Sequence, residues 1–81
     1  MEAKSVTEII AIYIVAIGPN GAPNSHVWLA VDPKMEDLDR HQVVLSYLKE
    51  NGIVHESGHF LTLTEKGRIL HDRIKEVLVK E

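Results

Sequence analysis

Cysteine is absent from this 81-residue chain, which excludes disulfide frameworks, thiolate chemistry and every zinc site built on sulfur. Long apolar runs are missing as well. The longest, Ile9 to Ile17, is too short to span a bilayer. Glu2 and Glu8 precede it and no small-residue cleavage site follows, so a secretory signal does not fit. Positive charge is scarce: 9 Lys and Arg stand against 12 Asp and Glu, for a net charge of -3 and a pI near 5.9. That balance argues against a nucleic-acid coat or a membrane-surface peptide. What is present, 44% apolar and 26% charged residues, is the composition of an ordinary globular domain. A single domain over residues 1–81, soluble and cytoplasmic, is expected.

Ser5-Val6-Thr7-Glu8 has the form of a capping box at the start of a helix that Gly18-Pro19 would end. The isoleucine-rich run between them would also suit a buried strand, and periodicity alone does not decide; the cap favours helix. At helical spacing Val6, Ile9, Ile10, Tyr13, Ala16 and Ile17 form one face, with Ala11, Ile12 and Val15 outside it. Pro19–Asn24 reads as a loop, and Asn24 or Ser25 can cap a short second helix through His26–Val31. A third helix runs from Met35 or Asp37 to Glu50, with Leu38, Leu45 and Leu48 in one stripe and His41 or Gln42 filling its gap. Asn51-Gly52 closes it. Ile53–Glu56 and His59–Leu63 read as a hairpin around Ser57-Gly58. Thr64 then caps a last helix with Leu70, Ile74, Val77 and Leu78 on its stripe.

This order, with the phrases Leu45–Val54 and Phe60–Leu70, resembles the winged helix-turn-helix family. Leu63-Thr64-Glu65-Lys66-Gly67-Arg68 is similar to a phrase widespread among small bacterial, archaeal and phage transcription regulators. The resemblance implies an α+β, mostly helical fold: three helices, a β-hairpin wing and a C-terminal helix. It also implies that the third helix would enter the DNA major groove with the wing beside it. The front half of that helix offers Arg40, His41 and Gln42 as contacts, since Arg can pair with guanine and Gln with adenine. Lys34, Lys49 and Lys66 would assist on phosphates. A dimer would double such a footprint.

The charge pattern also supports a different expectation. Glu36, Asp37, Asp39, Glu50 and Glu56 cluster on the third helix and the hairpin, which has no Lys or Arg. The cations instead gather late, in Lys66, Arg68, Arg73, Lys75 and Lys80. An acidic surface of this kind would dock on a basic protein partner or inhibit it. For a homodimer, Ile12 and Val15 on the first helix and Val77, Leu78 and Val79 on the last supply apolar contact candidates. Trp28 and Phe60 are expected in the core. His55 and His59 lack a third ligand at recognisable spacing, and Ser25, His26 and Asp32 lack an oxyanion loop, so no metal, cofactor or enzymatic role is expected.

Overall fold

The computed structural model describes the backbone of residues 5–80 and the side chains of residues 5–77. Among these residues four helices, α1 (Val6–Ile17), α2 (Asn24–Val31), α3 (Leu38–Glu50) and α4 (Glu65–Lys80), surround three short strands, β1 (Ala22–Pro23), β2 (Val54–Ser57) and β3 (Phe60–Leu63). The sheet is antiparallel in the order β1-β3-β2. The architecture is therefore α+β and mostly helical.

Local chemistry starts and stops these elements. Ser5 Oγ accepts the Glu8 amide at 3.1 Å, while the Ser5 amide donates to Glu8 Oε1 at 3.4 Å, the reciprocal cap expected from the sequence. The Ile-rich run that follows is thereby committed to helix, until Gly18 at φ 71 breaks it. Asp37 caps α3 by accepting the Arg40 amide on Oδ1 at 3.0 Å. Thr64 Oγ1 accepts from the Gly67 amide at 3.1 Å and opens α4.

Ile14, Ile17, Val27, Leu48 and Leu61 are the largest fully buried side chains, so α1, α2, α3 and β3 meet in one core. Each such burial contributes about 1.5–3 kcal/mol as an upper figure. Cutting back Leu48 or Leu61 to Ala would cost about 2–5 kcal/mol, because both lie at full burial with neighbours on all sides. Gly67 sits buried in the first turn of α4, where a Cβ would collide with the Ile53 carbonyl and crowd Leu63. Only glycine lets α4 lie that close to the hairpin.

Several expectations need correction. The inward face of α1 centres on Tyr13, Ile14 and Ile17, whereas Val6 is exposed. Ile14 belongs to that face, which the spacing of so apolar a helix does not reveal. Leu38 is exposed at the start of α3 and does not join the Leu45–Leu48 stripe. The α1–α2 connection is not all loop: Ala22 pairs with Leu61 and Pro23 with Phe60. Asn24 does not cap α2, whose N-cap is Pro23 without a side-chain bond. Phe60 is exposed and Trp28 half-buried, so neither is a core residue in the full sense. The hairpin turn is Gly58-His59, one residue later than read from the sequence.

Candidate functional site: the outward face of α3 and the polar chain beneath it

Helix α3 presents two sides of opposite character. Its inner side buries His41, Leu45 and Leu48. Its outer side carries Asp39, Gln42, Val43, Ser46, Tyr47 and Glu50, which together line a shallow surface groove. The spacing of three and four residues puts them on one helical face. Val43 is 67% and Tyr47 48% exposed, so two large side chains with apolar surface lie open to water at the centre of this face. Asp39 and Glu50 stand at its two ends, and among the described residues no cation lines it.

Arg40 and Gln42 are exposed as expected of contact residues, and Lys34 lies exposed in the α2–α3 turn. Arg40 does not share the outer face; it lines the cleft between α1 and α3 with Asp32, Glu36 and Asp37. Lys49 Nζ is held by Glu56 Oε1 at 2.7 Å. Lys66 Nζ donates to the Asn51 carbonyl at 3.0 Å. Both lysines are thus occupied within the fold. Of the acids, Asp39 and Glu50 are on the outer face, Glu36 and Asp37 line the cleft, and Glu56 is half-buried in its ion pair.

His41 overturns the expectation that it contacts a partner. Only 3% of it is exposed. Its ring stacks between Tyr13 and Trp28, with centroids 5.6 and 5.5 Å away. Nδ1 lies 2.8 Å from Tyr13 Oη, and Nε2 lies 2.6 Å from Asn24 Oδ1. Asn24 Nδ2 in turn donates to Glu56 Oε2 at 3.2 Å. An ionised carboxylate only accepts, so the amide nitrogen must face Glu56 and the amide oxygen must face His41. The neutral imidazole therefore carries its proton on Nε2 and accepts the Tyr13 hydroxyl on Nδ1.

The result is a continuous chain, Tyr13–His41–Asn24–Glu56–Lys49, that ties α1, α3, α2 and β2 together. Electrostatics fit this reading. Burial lowers the His41 pKa below its ordinary 6.5 and pushes the Tyr13 phenol up to about 12, keeping both neutral. The hydrogen bond from Lys49 lowers the Glu56 carboxyl, and the Asp37 backbone amide, followed by the Trp28 indole, lowers Asp32.

Sequence reasoning missed Tyr13, Trp28 and Asn24 as partners of His41, and no spacing rule links positions 28 and 17 residues apart. It also passed over Val43, Ser46 and Tyr47, although their helical spacing with Asp39 and Glu50 was visible. Ile12 is half-buried and lines the α1–α3 cleft, so it does not point outward as a dimer contact should. Val15 and Val77 are exposed, at 46% and 62%; the side chains of Leu78 and Val79 lie outside the described residues. Among the described residues no three His, Asp or Glu side chains gather as metal ligands, and no helix is long and apolar enough to cross a membrane. No protein-family model matches this sequence, and no curated protein matches it.

Proposed function

We propose that the chain is a winged-helix-like domain that works as a protein-interaction module, docking through the outward face of α3 on a partner with a basic, partly apolar surface. The observation that carries this reading is the composition of that face: Val43 and Tyr47 exposed between Asp39 and Glu50, with no cation among the described lining residues. Buried aromatic and aliphatic anchors supply most of the affinity in such contacts, and the framing carboxylates steer approach and select the partner. The polar chain under α3 supports it, because anchors are effective when the helix that bears them is held rigidly.

A second reading, a dimeric DNA-binding regulator, is favoured by the element order α1-β1-α2-α3-β2-β3-α4 and by the exposed Gln42 and Ser46, which can hydrogen-bond base edges. Against it stands the phosphate term: the face offers two carboxylates where counterion release needs cations. Exposed Val15 on α1 and Val77 on α4 would serve its homodimer.

The double charge reversal Asp39→Lys with Glu50→Lys separates the readings. Asp37 is unsuitable for this purpose, since its side chain caps α3. Purified partner, once captured, should bind the reversal at least about tenfold more weakly, equivalent to about 1.4 kcal/mol. Tight duplex binding by the native chain, with a steep salt slope, would transfer the function to DNA.

A further inference from the structure

A second recessed surface lies on the other side of α3. A cleft of about 380 Å³ opens between α1, the end of α2 and the first turn of α3, a volume within the range of small-molecule sites. Ile9 and Ile12 on α1 and Val31 on α2 give it an apolar wall. Its floor is the hydrogen-bonded pair Tyr13 and His41. Among the described residues at its rim stand the carboxyl groups of Asp32, Glu36 and Asp37 against one guanidinium, that of Arg40.

The rim is arranged as well as acidic. Asp32 Oδ2 accepts the amides of Glu36 and Asp37 at 2.9 and 3.1 Å, and the Trp28 indole at 3.4 Å. These donors fix the carboxylate in place, and its lowered pKa keeps it ionised. The Met35 backbone amide is a further donor to this carboxylate, which holds its charge at the mouth of the cleft. The α3 N-terminus adds roughly half a positive charge nearby. Among the described lining residues three carboxylates outweigh that half charge and Arg40 together, which makes the mouth of the cleft negative.

We propose that this cleft binds a small organic cation, an amine on a compact apolar body, with the ammonium at Asp32 and Glu36 and the body against Ile9, Ile12 and Val31. The site is independent of the outer α3 face and of whatever docks there. Binding would set the α2–α3 turn more firmly, because Asp32 holds both the ligand and the backbone of Glu36 and Asp37.

Trp28 makes the test direct. It is the single tryptophan, and its indole touches the same Asp32 carboxylate. The intact chain is titrated with 2-phenylethylamine while indole emission and backbone amide shifts are followed, beside 2-phenylethanol and 3-phenylpropionate. The amine should give a saturable change in emission, with amide shifts centred on residues 9–13 and 31–41. The alcohol should bind about tenfold more weakly or worse, and the carboxylate not at all. Glu36→Gln should weaken the amine severalfold without lowering the melting temperature; Asp32→Asn should weaken it further. Ile12→Ser, which opens the apolar wall, should weaken amine and alcohol alike. Equal affinity for amine and alcohol, shifts centred elsewhere, or an unchanged affinity in Glu36→Gln and Asp32→Asn would each overturn the proposal.

Discussion

The Tyr13 hydroxyl donates to Nδ1 of His41 across 2.8 Å inside the core, and this bond joins the first helix to the third. Tyr13→Phe keeps the ring and its stacking but leaves a buried imidazole nitrogen without a donor. The expected cost is about 1–3 kcal/mol, more than the roughly 1 kcal/mol net worth of an ordinary hydrogen bond. Urea unfolding of Tyr13→Phe, His41→Phe and the double variant forms a cycle. If the two single losses simply add, the pair is not coupled and this account of the core fails.

The same pair makes stability depend on pH from both sides. Burial holds His41 below 6.5, so the unfolded chain takes up the proton first as the pH falls. The His41 contribution is complete above 6.5 and is lost progressively as the pH drops from there toward the folded value. Asp32 and Glu56, the carboxylates facing the ring, moderate the loss because they favour the imidazolium. Tyr13 acts in the opposite direction: its contribution holds below pH 10.0 and is lost as the pH rises toward about 12. Urea midpoints of native chain and His41→Phe across this span check both limbs. An acid limb equally steep in His41→Phe would remove His41 as its source.

Gly67→Ala should be among the most damaging single-methyl additions in the chain. The new Cβ meets the Ile53 carbonyl and Leu63, so hairpin and α4 must move apart, at about 1–3 kcal/mol or more. Gly52→Ala provides the contrast. It stands in open space at φ +69 and suffers only the left-handed backbone penalty of about 1–2 kcal/mol. Thermal melts should rank Gly67→Ala below Gly52→Ala; the reverse order would show that the contact relaxes freely.

Lys49→Met should matter little. Its ion pair with Glu56 is short but partly exposed, with side-chain exposures of 41% and 22%. Screening reduces such a pair to about 0.2–1 kcal/mol. The loss should shrink further in about 1 M salt, and Glu56 would keep its bond to Asn24. A salt-independent loss well above 1 kcal/mol would mean that the pair behaves as a buried one.

These residues also show what a one-dimensional reading can reach. The caps at Ser5 and Thr64 are local, fixed within three residues, and they announce α1 and α4 in the sequence; the equally local cap at Asp37 shows only in the structure. Strand β1 was invisible because two residues ending in proline have no period, and its existence depends on Leu61 and Phe60 far along the chain. His41 was ambiguous for a similar reason. A histidine at a helical gap fits a core or a contact surface equally well, and the rings of Tyr13 and Trp28 that decide the matter arrive only through packing. On the outer face the helical spacing of Val43 and Tyr47 with Asp39 and Glu50 is legible in the sequence, but that these two side chains are exposed emerges only from packing.

The pairing of Ala22 with Leu61 has a consequence for biosynthesis. Translation delivers α1, α2 and α3 well before Leu61, the fully buried side chain of the central strand. Until that strand leaves the ribosome the three helices have nothing to close around, and the edge residues Ala22 and Pro23 have no partner. The nascent chain therefore carries uncovered isoleucine surface for most of its synthesis and completes its core in one late step. Fragments that end before residue 61 lack the central strand altogether, so they should be cleaved faster by an added protease than the released full chain.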